Sequence, residues 1–394
     1  MEIKNVVIVN DFNYTQGGAS KVAIDTAKLL ADKGIKVYFF SALNKTEEQI
    51  AGIEYITTNQ VEALREKNKI KGIINGIYNF KKKKELQKLL EKLDKSTTII
   101  HVHGWTKALS SSVFDIALKM QFKVVLTVHD YFTSCPNGGY FNYKKCEICH
   151  LKPMSFKCIT CNCDSRNYFF KLYRILRQKI QNKILKNLKN KIFISDFSKR
   201  ILDNNENLND NITIIPNPII IKNEKFKNVE EKDYYLFVGR VCKEKGAEIF
   251  CKEISNQEKK GIVIGDGPEL KKLKTKYKKI IFKGWLNNKE TINYIYNSDA
   301  LIFPSLCYET LGLTVIEALI LGKPCIVSEN TAASQYINEK NGILFNPNKE
   351  GDLTKKLNNF KNFKPENLVE SSCEIKQIFN NELYIDKLLK FYKK

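Results

Sequence analysis

Residues 300–318 read Ala-Leu-Ile-Phe-Pro-Ser-Leu-Cys-Tyr-Glu-Thr-Leu-Gly-Leu-Thr-Val-Ile-Glu-Ala. Ala300 to Phe303 is an apolar run of strand length, and Pro304 stops it by withholding a backbone donor. A helical pattern opens near Gly312, so its first free amides aim back at the rim where the strand ended. Two acids bracket this turn: Glu309 on the loop, and Glu317 about two turns on, within the helix. Placed so, one carboxylate can meet a hydroxyl or a developing positive charge while the other accepts hydrogen bonds from a diol. Glu317 also stands three residues after Thr314, the Thr-x-x-Glu spacing of a capping box, which would make it a local device only.

The same strand-then-helix rhythm runs outward in both directions. In the first half, short apolar runs at 6–9, 37–40, 98–102, 124–128 and 192–195 are separated by helix-length segments such as 19–33. Pro216-Asn217-Pro218 and the polar stretch 222–232 read as a linker, after which runs recur at 235–238, 261–264, 279–282, 300–303 and 323–328. Strands alternating with helices imply βαβ units and parallel sheets. At 394 residues the chain also exceeds what one hydrophobic core serves. The reading is therefore α/β, with two Rossmann-like doubly wound parallel-sheet domains in tandem, spanning residues 1–215 and 216–378. Ligands of such sheets bind beyond the carboxyl ends of the strands, so the loops that follow each run are where chemistry is sought.

Several of those loops carry suitable groups. Gly17-Gly18 follows the first strand and precedes a helix, where free amides and a positive dipole end suit a phosphate; a plain turn is the competing reading. His129 and Asp130 follow one strand, and His101 and His103 lie at the end of another, so three of the chain's four histidines are placed at one rim. In the second half, Gly239-Arg240 ends a strand and Lys245-Gly246 follows it. A guanidinium and an ammonium five residues apart can clamp a diphosphate, one by paired hydrogen bonds and one as a point charge. Gly265-Asp266-Gly267-Pro268 ends the next strand in a tight turn, where backbone passes close to a ligand.

The formal net charge of +22 and a pI near 9.3 point to an anionic partner: nucleic acid, an anionic membrane or a phosphorylated substrate. Lysines are spread through the whole chain, but two stretches stand out. Lys81 to Lys84 is a run of four, and 166–191 interleaves basic and apolar residues at helical spacing. That amphipathic helix either lies on an anionic leaflet or packs its apolar face on the protein's own core. No run approaches the roughly 18 apolar residues of a membrane span, and no signal peptide is visible, so the chain reads as cytoplasmic. Six of eleven cysteines fall between Cys135 and Cys163. The pairs Cys146/Cys149 and Cys158/Cys161, with Cys163 beside them, approach the spacing of a structural zinc site, with Cys135 and His150 as further ligands; buried thiols are the alternative.

Glu309-x7-Glu317, Gly239-Arg240 with Glu244-Lys245-Gly246, the Gly-Asp-Gly-Pro turn, Phe282-Lys283-Gly284 and the Gly17-Gly18 loop together resemble glycosyltransferase family 4. These are retaining enzymes of the GT-B fold, in which two Rossmann-like domains face a central cleft. The resemblance covers nearly the whole chain and is strongest between Phe237 and Phe345. It implies a sugar donor linked to UDP or GDP, and a glycan or lipid-linked acceptor in cell-surface polysaccharide synthesis. Arg240 and Lys245 would hold the diphosphate, Glu317 the ribose, Glu309 a hydroxyl of the donor sugar, and amides near Gly312 and Leu313 the phosphates. Gly17 and Gly18 would close on the donor, joined by backbone at Gly239 and Gly265. His129 would contact the donor sugar, and residues 280–286 would pass the base. Residues 379–394 would form a helix crossing back to the first domain. No catalytic metal or other cofactor is implied, in keeping with a chain that contains no Asp-x-Asp. Nucleic acid is not expected as a partner, whereas peripheral contact with an anionic membrane is. A nucleotide-sugar epimerase on the same fold, or a basic membrane- or nucleic-acid-binding module, are the alternatives.

Overall fold

The apolar runs become strands because β-branched and aromatic residues dominate them and both faces are covered, which is the environment of a parallel sheet. The computed structural model describes residues 2–43, 50–203, 211–221, 226–257, 260–360, 363 and 366–394; residues 222–225 of the expected linker lie outside these. In chain order the first strands are β1 (Asn5–Phe12), β2 (Lys36–Leu43), β3 (Ile53–Thr57), β4 (Thr98–Val102) and β5 (Lys123–Val128). A small antiparallel hairpin follows, β6 (Phe141–Asn142) with β7 (Glu147–Ile148). Then come β8 (Asn190–Phe193), β9 (Asn211–Ile214), β10 (Tyr234–Val238), β11 (Lys260–Ile264), β12 (Ile280–Gly284), β13 (Ala300–Phe303), β14 (Cys325–Ser328) and β15 (Gly342–Phe345).

One seven-stranded sheet has the order β3-β2-β1-β4-β5-β8-β9, and one six-stranded sheet the order β12-β11-β10-β13-β14-β15. Every pairing in both is parallel. The order reverses between β1 and β4 in the first sheet and between β10 and β13 in the second. These are the switch points at which doubly wound sheets leave a crevice. The sequence reading did not foresee β3, β9 and β15. All three are edge strands, and β3 and β9 are mostly half-buried, so they carry less of the continuous apolar signature of a central strand.

The chain divides into two compact units: Met1–Gly138, Leu151–Ile220 and Asn380–Lys394 in one, and Gly139–His150 with Ile221–Phe379 in the other. The β6–β7 hairpin, expected inside an insertion of the first domain, thus groups with the second unit. The helix Asn381–Lys393 belongs to the first. Its Ile385, Leu388 and Phe391 enter the same core as Val6, Ile8 and Ile99. Each such buried side chain stabilises by about 1.5–3 kcal/mol. Two tyrosines tie it further: Tyr384 Oη meets Thr26 Oγ1 at 2.7 Å, and Tyr392 Oη meets His101 Nδ1 at 2.6 Å.

The helix Tyr168–Leu185 is built inside out. Lys171, Arg177, Gln178 and Gln181 are buried, while Phe169, Leu172 and Leu176 are exposed. The polar face is occupied by loop backbone: Gln178 Nε2 donates to Thr133 O at 3.0 Å, Gln181 Nε2 to Phe132 O at 2.6 Å, and an Arg177 N–H to Pro136 O at 3.0 Å. Trp105 Nε1 donates to Gln181 Oε1 at 2.8 Å. Of the expected apolar face, Tyr173 and Leu185 reach the interior, but three large side chains do not. The four-lysine run divides as well. Lys81 and Lys84 are exposed, Lys83 pairs with Asp115 at 2.8 Å, and Lys82 is fully buried.

Candidate active site

At the switch point of the second sheet, the loops after β10 and β13 lie against each other. Leu306 N–H and Ser305 Oγ both donate to Glu244 O, at 2.9 and 3.2 Å. Gly246 allows this approach: its φ is +70°, and a Cβ there would stand 1.9 Å from Pro304 O. The contact brings Lys245 and Glu309, 64 residues apart, into a direct ion pair. The one Ser305 hydroxyl proton is shared between Glu244 O and this Glu309 Oε1, 2.9 Å from Ser305 Oγ. The backbone of Glu309 is held from the other side, where Ala332 N–H donates to Glu309 O at 3.0 Å. Burial by itself would push the Lys245 ammonium down, but the Glu309 carboxylate outweighs it and holds the proton well above the ordinary lysine value. Lys245 is therefore a fixed cation. One of its three N–H bonds goes to Glu309, leaving the others for an anion.

The neighbouring loop packs on the same backbone. Gly265 has φ +133°, and a Cβ there would lie 2.0 Å from Gly239 O. Val241 N–H closes the contact by donating to Asp266 O at 3.0 Å. Arg240 is exposed at this rim, and Glu317 is buried within the helix Leu313–Ile320. The N-cap of that helix is Gly312, which has no side chain to offer, and Leu313 is its first residue. Thr314 is thus already inside the helix and cannot cap it, so the capping-box account of Glu317 fails. Ser305 and the carbonyl of Glu244 were not singled out as site groups by sequence reasoning. A serine four residues before the loop glutamate is a weak signal until the fold brings Lys245 beside them.

In the first unit, Gly17 caps the helix Gly18–Asp32 without a side-chain acceptor, and both glycines are exposed. The three rim histidines do assemble. His103 Nδ1 and His129 Nε2 are 2.9 Å apart with their rings stacked, and His101 lies against His103 with ring centres 4.2 Å apart. His101 Nε2 also meets Thr127 Oγ1 at 2.7 Å. Burial holds all three well below the ordinary imidazole value, His101 and His129 to about 3, so they are neutral at physiological pH. Asp130 moves the other way, pushed up to about 6 by burial. Asp11, which sequence reasoning passed over, is buried at the end of β1 and accepts three amides, from Lys107, Ala108 and Leu109, at 2.9–3.0 Å. It anchors the loop that follows β4, next to the first sheet's switch point.

Of the expected zinc ligands, Cys161 interacts with Cys158 and Cys163 in the first unit, and Cys135 shares the surroundings of Lys171 with Cys158 and Cys163. Cys146 and Cys149 belong to the segment that groups with the second unit. In the first unit the buried ammonium of Lys171 lies among the sulfurs, with Cys163 Sγ at 3.1 Å and Cys158 Sγ at 3.7 Å. Burial would push that ammonium down, yet the sulfurs of Cys163 and Cys158 outweigh it and keep the proton on. Among the described residues no group of three or more His, Cys, Asp or Glu is arranged to hold a metal ion.

Two parallel-sheet Rossmann-like domains, one of them with an acid–ammonium pair at its switch point, are the architecture of a GT-B protein. The chain belongs to glycosyltransferase family 4: residues 16–222 match the model described as Glycosyltransferase Family 4, and residues 219–370 the one described as Glycosyl transferases group 1. It is 29% identical over 141 residues to the UDP-Gal:alpha-D-GlcNAc-diphosphoundecaprenol alpha-1,3-galactosyltransferase of Escherichia coli, covering 33% of this chain and 36% of that one. The chain spans between about a quarter and about a third of the length of several curated relatives it matches. Over the whole fold it is similar to the sucrose-phosphate synthase of Thermosynechococcus elongatus, with a TM-score of 0.71 at 16% identity and coverage of 99% and 98%. It is likewise similar to Anabaena Alr3699/HepE in complex with UDP-glucose, with a TM-score of 0.65 at 13% identity and coverage of 99% of each chain.

Proposed function

We propose that this chain is a retaining hexosyltransferase that moves a sugar from a UDP- or GDP-linked donor to a glycan or lipid-linked acceptor in cell-surface polysaccharide synthesis. The observation that carries the reading is the Lys245–Glu309 pair at the β10/β13 switch point. Breaking the bond between sugar and diphosphate builds charge on the leaving phosphates, and stabilising that charge is the largest catalytic contribution. Lys245, locked in its charged form by Glu309, supplies it. Arg240 on the same rim adds a second cation, and the amides at the Gly312–Leu313 helix start add a dipole. Glu309 uses Oε1 to hold Lys245 and offers Oε2 to a hydroxyl of the donor sugar, which makes it a positioning and electrostatic group. Glu317 accepts the ribose hydroxyls. The acceptor hydroxyl attacks from the face that the diphosphate leaves, and the departing phosphate takes its proton, so no protein nucleophile and no metal is needed.

Gly17, Gly18 and neutral His129 are assigned to the donor sugar from the first unit. A UDP-galactose donor and a diphosphoundecaprenol acceptor in a relative's name, with UDP-glucose bound to a structural neighbour, support the donor and acceptor classes. A peripheral place on the inner face of a membrane suits such an acceptor. The test is a thermal-shift screen of nucleoside diphosphates and nucleotide sugars, followed by a transfer assay with radiolabelled donor. Stabilisation by a nucleoside diphosphate that is lost in Lys245→Ala supports the reading. Donor interconversion without transfer would make the chain an epimerase, and no nucleotide effect at all would end the enzymatic reading.

A further inference from the structure

The inverted helix Tyr168–Leu185 leaves a surface that the catalytic reading does not use. Phe169, Leu172 and Leu176 are 81%, 43% and 49% exposed, and their spacing of three and four puts them in one stripe. The helix Lys69–Ile77 crosses this helix at Gly76, where a Cβ would lie 1.9 Å from Tyr173 Oη. Tyr173 stands four residues after Phe169 and three before Leu176, so the crossing and the stripe adjoin. Gly72 and Gly76 turn the shorter helix inward on one side, and Ile70, Ile73 and Ile74 are left 72%, 44% and 52% exposed on the other. Two apolar stripes thus flank one helix crossing. An exposed apolar patch of this kind marks an interaction surface.

The charges around it select the occupant. Neither helix contains an Asp or Glu. Beyond Leu176 the stripe continues at the same spacing as Lys179 and Lys183, both exposed, and Lys69 and Lys71 edge the isoleucines, Lys71 lying 3.9 Å from Glu66 ahead of the helix. Apolar side chains bordered by cations, with no acid in either helix, complement acyl chains beneath anionic headgroups. A second copy of the chain would bring like charges together. No described helix is long and apolar enough to cross a membrane, so contact through this surface would be peripheral.

We propose that the helices Lys69–Ile77 and Tyr168–Leu185 form a docking surface for an anionic lipid bilayer, with Phe169, Leu172, Leu176, Ile70, Ile73 and Ile74 entering the acyl boundary. Its purpose rests on the reading above, since it holds the chain where a lipid-linked acceptor lies. The polar side of the same helix grips residues 132–136, just beyond His129, so the docking helix is continuous with the rim that carries that histidine.

Flotation of the full chain with vesicles of phosphatidylglycerol and phosphatidylcholine, against phosphatidylcholine alone, tests it. The parent protein floats with the anionic vesicles only. Phe169→Ser/Leu176→Ser lowers the bound fraction by roughly tenfold, and Lys179→Glu/Lys183→Glu lowers it while removing its salt dependence. Light scattering and nucleoside-diphosphate thermal shift on each variant show that it is folded with an intact donor site. Parent protein that stays in the soluble fraction at low salt overturns the proposal, as do variants that float like the parent. A dimer that both serine substitutions convert to monomer would replace the bilayer with a second copy. Flotation that persists in a protein unaffected by any nucleotide would leave the surface standing and remove the transferase reading instead.

Discussion

Glu309 Oε1 accepts from Lys245 Nζ and faces Ser305 Oγ, whose single proton it shares with the backbone carbonyl of Glu244, next to Lys245. The acid, the cation and the serine therefore form one closed unit across two loops. Removing any member should disturb the others.

Lys245→Ala removes a fixed cation from the proposed phosphate position and leaves a mostly buried carboxylate without its partner. Nucleoside-diphosphate affinity should fall by about 10–100-fold, as expected when a charge-assisted contact is lost. Breaking a partly buried pair should also cost on the order of 1–3 kcal/mol of stability. Glu309→Gln keeps the hydrogen-bonding shape and should spare nucleotide binding more than turnover. Titration calorimetry and denaturant unfolding read both effects, and unchanged nucleotide affinity in Lys245→Ala would contradict the assignment.

Gly246→Ala tests whether the two loops must touch. A Cβ 1.9 Å from Pro304 O at φ +70° forces the loops apart and strains the backbone. A loss of about 1–3 kcal/mol follows from the dihedral alone. Transfer activity should drop further than stability does, because the displacement opens the Lys245–Glu309 pair. Activity measured well below the variant's own Tm separates the two.

The histidine cluster sets an acid limit on the fold. His101 and His129 are held at about 3, against an unfolded imidazole value near 6.5. Their neutral forms are favoured in the fold, so this stability is complete above about pH 6.5 and is lost as pH falls toward 3. Asp130, raised to about 6, takes up a proton over the upper part of that window and partly offsets the loss. Burial raises Asp11 as well, so two carboxyls oppose three imidazoles, and Tm should decline below pH 6. A Tm that stays flat from pH 7 to pH 4.5 would show that the cluster does not titrate this way.

Lys82→Met should stabilise the protein. The Lys82 ammonium is buried and pushed down to about 8 by burial, with Glu85 at 3.8 Å giving only partial compensation. Below pH 8 the fold carries a desolvated charge. As pH rises from 8 toward 10.5 the folded state releases its proton before the unfolded state does, and stability rises. Replacing the ammonium by a thioether of similar length should gain about 1–3 kcal/mol at neutral pH and abolish that rise. Chemical denaturation across pH 7 to 10 checks both parts.

The central strands were legible because they are continuous apolar runs punctuated by helix-length segments. The edge strands β3, β9 and β15 were not, since a half-covered strand has no such run. Among site residues, Arg240, Lys245, Glu309 and Glu317 stood out by strand-end position and motif. Asp11 and Ser305 did not, because an acid bonded to distant amides and a serine bonded to a distant glutamate carry no local periodicity.

By itself the sequence determined the class of fold and the type of chemistry, because strand and helix periods, and the charges at strand ends, are written locally along the chain. Which face of the helix Tyr168–Leu185 is buried was decided only by the tertiary structure. Loop carbonyls at 132–136 needed donors that apolar side chains cannot supply, so Arg177, Gln178 and Gln181 turned inward and the hydrophobic stripe turned out. The same holds for the cysteine cluster. Spacing alone suggested a metal; only the fold showed that Lys171, from the basic helix that follows the cluster, places its ammonium among the sulfurs.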